Sequence, residues 1–332
     1  MRNHTGLRKS TITFAGALAL LIATPGQAQD AYPSKPITFI VPYAAGGSSD
    51  TRSRQIAQQL SARLKVAVVV ENKPGASGNI GTAQIARANP DGYTIGLGNF
   101  APLSVNKALY GSNLGFDPDK GIAPILLLER GAMVLGVNAQ SPYKSAGDLI
   151  AAGKADPKKL NFASTGAGSA SQLITELFKD NAGFNATHVP YRGGAPAAGD
   201  LMAGNVDFYL ELPSLLLPNA QGDQARLRLL AVSADARLAA LPNIPTFKEL
   251  GIANMVASNW FGVIAPAGTP QAIIDKLNAN LNEILKDPAY RRVVESEGGE
   301  VAGGSPQDFK SFIASESKRW GTLISEKHIT IQ

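Results

Sequence analysis

Beyond residue 28, short apolar segments rich in β-branched residues alternate with amphipathic segments whose apolar residues recur every three or four positions. Residues 37–41 predict a buried strand, and Ile56, Leu60 and Leu64 mark one face of a helix over residues 51–64. Strands that alternate with helices are typical of mostly parallel sheets covered by helices. The sequence therefore predicts an α/β protein.

The alternation continues along the chain and predicts two lobes. About 300 mature residues exceed what one hydrophobic core serves, so we expect residues 29–126 and 255–332 to form one lobe and residues 127–254 the other. Two crossings between lobes permit closure around a cleft. The further predicted strands are 66–70, 93–98, 133–137, 160–163, 187–191, 206–210, 227–232 and 260–265, and the further predicted helices are 80–88, 145–152, 170–181, 195–203, 271–286, 288–297 and 306–327.

The first 28 residues predict export. Arg2, Arg8 and Lys9 precede an apolar run over about residues 12–23, and residues 26–28 offer a cleavage site. A membrane-spanning helix needs roughly 20 apolar residues, so a run of this length is typical of a cleaved signal peptide. A buried N-terminal helix is the alternative. We expect cleavage near Ala28 and, in a host with two membranes, a periplasmic protein.

Charge and composition exclude several classes of function. The chain has 31 Lys and Arg against 26 Asp and Glu, a formal charge of +5. Removing Arg2, Arg8 and Lys9 leaves 28 basic residues against 26 acidic ones, or +2. No basic stripe with interleaved aromatic residues is present, so nucleic-acid binding is not expected. The absence of cysteine excludes disulfides, thiolate metal sites and a lipid-modified N-terminal cysteine.

At three places a strand runs into a turn of glycine or small residues and then into a helix: residues 41–51, 163–171 and 189–197. The first amides of a helix lack intrahelical partners and the helix dipole adds positive charge, so such turns bind carboxylate or phosphate. Ligands of open α/β sheets bind at the carboxyl ends of strands, where all three turns lie. Ordinary connections capped by Ser49 or Asp50 remain the alternative.

Signatures of catalysis are weak. No Gly-Lys-Ser/Thr sequence is present, Ser171 replaces the third glycine of a dinucleotide motif begun by Gly166 and Gly168, and no Gly-x-Ser-x-Gly occurs. His188 lies in or beside an apolar strand, where a structural role is the simpler interpretation. No His/Asp/Glu cluster has metal-ligand spacing. We therefore expect no catalytic residue, metal or cofactor.

Three other residues admit two interpretations each. Glu211 follows the strand at 206–210 and either faces the cleft, where it accepts a hydrogen bond from a ligand amine or hydroxyl, or lies in solvent. Trp260 either lines the cleft or packs in a lobe core. Arg192 either pairs with a ligand carboxylate or faces solvent.

Seven segments spread over nearly the whole mature chain carry a further signal: residues 32–37, 42–50, 71–76, 90–94, 164–169, 189–193 and 265–270. In this order they resemble the extracytoplasmic binding proteins of tripartite tricarboxylate transporters, the Bug family. Gln172 departs from the family pattern, because many relatives have a histidine there. Leu210 and Glu211 stand where Phe-Asp is usual.

The resemblance implies a two-lobe periplasmic binding protein fold, type II-like, with a mainly parallel sheet flanked by helices in each lobe. It implies a monomer whose main-chain amides and waters bind a di- or tricarboxylate, an acidic amino acid or an aromatic acid. The loaded protein would deliver this ligand to a membrane permease; signalling through a membrane receptor is the alternative. The predicted ligand-binding residues are Tyr43, Ala45, Gly46, Gly47, Ser48, Asn99, Ser164, Thr165, Ala167, Gly168, Ser169, Tyr191 and Glu211.

Overall fold

A computed structural model describes residues 1, 2, 6, 32–326 and 329. The predicted signal peptide at residues 1–28 lies almost entirely outside these residues, as does the last residue of the final predicted helix. Contacts divide the chain into residues 1–31 and residues 32–332, and every strand and helix named below belongs to the second unit. None of the described helices combines the length and apolarity needed to cross a membrane.

Eleven strands in the described residues build two sheets. A six-stranded sheet has the order β11-β4-β10-β3-β1-β2, and a five-stranded sheet has the order β7-β6-β8-β5-β9. The strands are β1 (Ile37–Val41), β2 (Val68–Asn72), β3 (Thr94–Asn99), β4 (Ile122–Ala132), β5 (Val134–Asn138), β6 (Asn161–Ser164), β7 (Thr187–Pro190), β8 (Phe208–Glu211), β9 (Leu227–Val232), β10 (Ser258–Pro266) and β11 (Gly299–Val301).

Helices flank both sheets, as the alternation in the sequence predicts. Ser145 caps its helix through a reciprocal pair of hydrogen bonds with Asp148, 3.2 and 3.0 Å long. The helices are α1 (Ser48–Leu64), α2 (Asn79–Ala86), α3 (Asn106–Tyr110), α4 (Ala146–Ala155), α5 (Ala170–Ala182), α6 (Gly194–Ala203), α7 (Pro213–Leu216), α8 (Gln271–Lys286), α9 (Pro288–Ser296) and α10 (Pro306–Glu326).

The sheets are mixed, which corrects the expectation that they are mainly parallel. β1, β2 and β3 are parallel, as are β6, β7 and β8. β10 is antiparallel to β3 and β4, and β5 is antiparallel to β8 and β9. The reason is the path of the chain: β4 leads out to the second sheet and β10 leads back from it, so these two neighbours run in opposite directions.

The strand β4 was not predicted, because Pro124 interrupts its apolar run and proline is normally excluded from inner strands. The structure accommodates it with an irregularity in the pairing of β10 with β4, where Ile264 faces Pro124. β4 stays in the six-stranded sheet to Ala132, beyond the predicted boundary at 126. The division into lobes at the stated residues stays a prediction.

A continuous apolar core lies against both sheets. Trp260 is 1% exposed, and its ring packs edge-on against Phe309 and Phe312 with centroids 5.8 and 5.4 Å away. Of the two interpretations of Trp260, the structure therefore supports the core position. This packing fixes β10, the strand that returns from the second sheet beside the ends of β3 and β4.

Candidate functional site

The first predicted turn joins β1 to α1 and is fixed by Asp50. The carboxylate of Asp50 accepts hydrogen bonds from the Gly46 amide at 2.9 Å, from Asn72 Nδ2 at 2.9 Å and from Arg54 Nε at 3.0 Å. Burial raises the pKa of Asp50, but these bonds outweigh it and the pKa lies below its usual range. Gly46 has a φ of +83°, a left-handed conformation that favours glycine. The start of α1 is thus held in one orientation.

The start of α1 faces the start of α6. A Cβ atom on Gly47 would lie 3.3 Å from the amide nitrogen of Gly194 and 3.5 Å from that of Ala195. Nearby, the Ala44 amide donates a hydrogen bond to the Arg192 carbonyl oxygen at 3.2 Å. Since the first amides of a helix have no intrahelical partners and carry partial positive charge, two facing helix starts favour an anion between them.

A small polar cavity, called the first cavity below, lies at these helix starts. The hydroxyl oxygen of Ser48 is buried beside it and has no hydrogen-bond partner among the described residues. A buried unpaired hydroxyl costs free energy, so this group is available to a ligand. The cavity is lined by Tyr43, Gly47, Ser48, Ser49, Asn99, Thr165, Gly194, Glu211 and Asn259.

Asn99 fixes the wall formed by the end of β3. Its Nδ2 donates to Asn259 Oδ1 at 3.0 Å and to the Trp260 carbonyl oxygen at 2.7 Å. Its Oδ1 accepts a hydrogen bond from the Tyr43 hydroxyl at 2.6 Å. The Tyr43 pKa is raised, first by burial and then by the nearby Glu211 charge. Because both Nδ2 hydrogens are used, Asn99 shapes the cavity and connects it to β10.

Several amides of the second predicted turn are bound within the protein. The Ser169 hydroxyl accepts a hydrogen bond from the Gln172 amide at 3.3 Å and so caps α5. Of the residues in this turn, Thr165 lines the first cavity. The bound amides and their acceptors are Thr165 with Ser171 Oγ at 2.9 Å, Gly166 with Ser164 Oγ at 3.1 Å, Gly168 with Gln172 Oε1 at 2.6 Å and Ser169 with the Gly166 carbonyl oxygen at 3.1 Å.

Ser164 and His188 form a buried pair behind this turn. The distance from Ser164 Oγ to His188 Nε2 is 2.6 Å, and the imidazole stacks on the Phe162 ring with centroids 5.0 Å apart. Burial, followed by the positive charge of Lys179, lowers the pKa of His188 to about 4. A neutral imidazole with Nε2 unprotonated can accept a hydrogen bond from the Ser164 hydroxyl, while the serine oxygen accepts one from the Gly166 amide. This arrangement supports the structural interpretation of His188.

A second pocket of about 210 Å³ adjoins the first cavity and shares Tyr43 and Thr165 with it. The Ser77 hydroxyl donates a hydrogen bond to the Ala167 carbonyl oxygen, across the cleft between the two sheets. Tyr191 lines this pocket, but its hydroxyl donates to Asp200 Oδ2 at 2.6 Å. The exposed Arg192 also lies at this pocket and forms no ion pair with a described residue.

Glu211, at the end of β8, is the charged residue in the lining of the first cavity and is 3% exposed. Its Oε2 accepts a hydrogen bond from the Tyr209 hydroxyl at 2.6 Å, and its Oε1 accepts one from the Leu212 amide at 2.8 Å. Burial raises the pKa of Glu211, while these two donors oppose the shift. Of the two sequence interpretations, the structure supports a carboxylate that faces the cleft.

The predicted residues divide into three sets by position. Tyr43, Gly47, Ser48, Asn99, Thr165 and Glu211 line the first cavity, and Ala167 and Tyr191 line the second pocket. Ala45, Gly46, Ser164, Gly168 and Ser169 line neither. The cavity also contains Ser49, Gly194 and Asn259, which were not predicted. Gly194 is the first residue of α6 and lies in the third predicted turn, over residues 189–197. The glycine pattern identified this turn but did not single out Gly194. Asn259 has no local sequence signal.

The described residues contain no group of three or more His, Cys, Asp or Glu placed to hold a metal ion. Two helix-covered sheets lie beside a polar cleft, and the chain crosses between them after β4 and again before β10. This arrangement defines the bilobal class of periplasmic binding protein folds. Within this class, the profile of the tripartite tricarboxylate transporter family receptor matches residues 53–329. The chain belongs to this family, which confirms the resemblance seen in the sequence.

Similar proteins support this assignment over nearly the full length. Protein BugT of Bordetella pertussis is 36% identical over 315 residues, which cover 93% of this chain and 95% of BugT. The solved structure of periplasmic binding protein BugD has a TM-score of 0.85 at 33% identity and covers 91% of this chain and 100% of its own. The structure of R. palustris Rpa4515 with adipate has a TM-score of 0.86 at 32% identity, with coverages of 90% and 99%.

Proposed function

We propose that this chain is an extracytoplasmic solute receptor that captures a small organic carboxylate in its cleft and delivers it to a membrane permease of the tripartite tricarboxylate type. The observation that carries the proposal is the pair of facing helix starts, α1 and α6, around the unpaired Ser48 hydroxyl. Such a site binds an anion through amides and a hydroxyl. The adipate in the structure of Rpa4515 supports a carboxylate as that anion.

Capture proceeds by closure of two lobes, residues 29–126 with 255–332 and residues 127–254. The sheets support two lobes, because β4 and β10 lie in one sheet and β5 and β9 in the other. Since β4 stays in the first sheet to Ala132, the first crossing falls at residue 133 instead of 126. The hydrogen bonds from Ala44 to Arg192 and from Ser77 to Ala167 join the lobes. Opening of the cleft breaks both bonds, and ligand binding restores them.

The protein acts in the periplasm after cleavage near Ala28, as a monomer, and does not change its ligand chemically. Mass spectrometry of the exported protein tests the cleavage position, and light scattering of the purified protein tests the monomer. Recovery of an added acid with unchanged mass tests the absence of chemistry. Permease genes beside the gene favour delivery, whereas a neighbouring kinase gene favours sensing.

The binding function is tested with the mature protein and a panel of mono-, di- and tricarboxylates, with the corresponding uncharged amides as matched controls. At least one acid is expected to raise the melting temperature, since a ligand that binds only the folded state stabilises it. Its amide is expected to have no effect. The same acid should compact the protein in small-angle scattering. No melting shift with any acid contradicts the proposal.

A further inference from the structure

The turn over residues 75–78 has four consecutive backbone φ angles in the left-handed range. Gly75 and Gly78 have φ values of +131° and +89°, and Ala76 and Ser77 between them have +47° and +53°. In the part of the chain that the structure describes, Ala76 and Ser77 are the only adjacent non-glycine residues with positive φ. This conformation costs free energy in any residue with a Cβ atom. A contact that Ser77 makes beyond the turn has to offset this cost.

The Ser77 hydroxyl contacts the second predicted turn, residues 164–169, which follows β6 of the five-stranded sheet. Ser77 is 5% exposed, and its hydroxyl donates a hydrogen bond to the Ala167 carbonyl oxygen. The hydroxyl oxygen of Tyr110, at the end of α3, lies 3.4 Å from the same carbonyl oxygen. Two hydroxyls beside the six-stranded sheet therefore meet one main-chain oxygen beside the other sheet.

The two glycines on either side of Ala167 bring the turn close enough for these contacts. A Cβ atom on Gly166 would lie 2.6 Å from the Ser77 hydroxyl oxygen, and one on Gly168 would lie 2.6 Å from Asn106 Oδ1. Both glycines also have positive φ, +128° and +83°. The turn therefore docks through its backbone, and a side chain at either position would hold the two surfaces apart.

Asn106 opposes this contact and keeps it weak. Its side chain is buried, and its Nδ2 donates a hydrogen bond to Asn79 Oδ1 at 2.6 Å. Its Oδ1 lies beside Gly168 and has no hydrogen-bond partner among the described residues. A buried acceptor without a partner costs free energy, and opening of the cleft returns this oxygen to water. The contact therefore favours closure without making it permanent.

We propose that residues 75–78 and residues 166–168 form a latch that holds the cleft closed over its ligand, with Ser77 and Gly168 as positioning residues. The latch acts beside Thr165, which lines both the first cavity and the second pocket. Ligand leaves only when the cleft opens, so a bond made only in the closed state slows dissociation and leaves association nearly unchanged. This inference rests on the proposed lobe closure and adds the residues that set how long the ligand stays.

The first test measures on rates and off rates by stopped-flow mixing of the mature protein with the acid that gives the largest melting shift in the carboxylate panel. Ser77→Ala should raise the off rate about fivefold, as expected for the loss of one hydrogen bond between uncharged groups, and change the on rate by less than about twofold. An off rate that stays at the wild-type value overturns the latch.

Ser104→Ala is the matched control. Ser104 is 3% exposed, and its hydroxyl also donates to a carbonyl oxygen, that of Phe100 at 2.6 Å, but within one lobe. The variant loses the same kind of hydrogen bond without touching the junction, so both of its rates should equal those of the wild type. An off rate raised equally by Ser104→Ala and Ser77→Ala would show a general loss of stability in place of a latch.

The second test changes the glycine on the other side of the contact. Gly168 lines neither the first cavity nor the second pocket, and the Cβ of Gly168→Ala should raise the off rate about tenfold or more by overpacking the junction. Gly183→Ala is the control: Gly183, at the far end of α5, also has a left-handed φ, +67°, but its Cβ would meet only Lys154 Cε, at 3.9 Å. Equal off rates in the two variants would contradict the latch.

The double variant separates the latch from a direct contact between Ser77 and the ligand, because Ser77 also lines the second pocket. Adding Ser77→Ala to Gly168→Ala should change the off rate by less than about twofold, since the docking contact is already lost. Fully additive effects of the two changes overturn the latch. Failure of the wild type to bind any acid of the panel contradicts the proposed function itself.

Discussion

The backbone amide of Ala44 donates a hydrogen bond to the carbonyl oxygen of Arg192 at 3.2 Å. The bond joins the turn before α1 to the turn before α6, whose strands belong to different sheets. Main-chain atoms of two distant segments therefore meet directly beside the cavity. Side chains added at this junction test the proposed closure.

Gly47→Val is expected to abolish carboxylate binding and to leave the ligand-free fold intact. Gly47 has a φ of −83°, which valine adopts without strain, but its Cβ would lie 3.3 Å from the Gly194 amide nitrogen and overpack the closed cleft. Titration with the best acid from the panel measures the loss. Gly199→Val is the control, because a Cβ on Gly199 meets no heavy atom within 4 Å. Unchanged affinity in Gly47→Val would remove the first turn from the site.

Ser48→Ala is expected to weaken carboxylate binding by about 10- to 150-fold, since a hydrogen bond to a charged group contributes about 1.5–3 kcal/mol. The melting temperature of the ligand-free protein should stay the same or rise, because the variant removes a buried unpaired hydroxyl. Thr82→Val is the matched control: Thr82 also has a buried hydroxyl without a described partner but does not line the cavity. Equal affinities in the two variants would contradict a role for Ser48.

His188 is expected to make the protein less stable as the pH falls from about 6.5 to 4. Its pKa is lowered to about 4 in the folded protein, whereas the unfolded chain binds the proton near pH 6.5. The unfolded state thus binds more protons between these values, so stability decreases on acidification there. The full shift corresponds to about 3.4 kcal/mol, and the partial exposure of His188 makes the actual contribution smaller.

The measurement is urea unfolding of the wild type and of His188→Gln at pH 7, 5.5 and 4. The glutamine side chain can accept a hydrogen bond from the Ser164 hydroxyl but does not titrate. The free energy of unfolding of His188→Gln should therefore fall less between pH 7 and pH 4 than that of the wild type. Parallel pH profiles of the two proteins would show that the imidazole is not the titrating group.

Arg52→Met is expected to destabilise the protein by about 3–5 kcal/mol, because it leaves a buried carboxylate without its partner. Arg52 lies in α1 and is 3% exposed. Its Nε lies 2.7 Å from Glu129 Oε2, and its Nη2 lies 2.7 Å from Glu297 Oε2. Burial raises the pKa of Glu129 and Arg52 opposes the shift.

Urea unfolding measures this loss, with Arg130→Met as the control. Arg130 pairs with Glu300 in an exposed position, where an ion pair contributes about 0–1 kcal/mol. The double variant Arg52→Met/Glu129→Met should recover most of the stability, since replacing both members of a buried pair by apolar residues is often neutral. Equal losses in Arg52→Met and Arg130→Met would contradict the importance of the buried pair.

Local patterns identified most of the elements that form the site. The predicted strands at residues 37–41 and 227–232 and the predicted helix at 271–286 agree with β1, β9 and α8. Helix α1 begins three residues before its predicted start, because Ser48, Ser49 and Asp50 already adopt helical geometry. These features follow from apolar spacing and from glycine in turns, which act over a few residues.

The partners of each polar group were decided by the tertiary structure. The sequence predicted amides in the turn at 164–169 as ligand donors, yet the Gly168 amide is bound by Gln172 and the Thr165 amide by Ser171. Both acceptors lie on the first turn of α5, and their orientation depends on how that helix packs. Spacing along the chain carries no information about which of two nearby acceptors an amide meets.

By itself the sequence determined the alternation of strands and helices, the anion-capable turns and, through its resemblance, the family. Only the tertiary structure brought Asn99 within 3.0 Å of Asn259, 160 positions away, and placed Glu211 in the lining of the first cavity. It also set the antiparallel direction of β10. The physical reason is that periodicity reports which face of an element is apolar, whereas a binding site depends on contacts between elements distant in the chain.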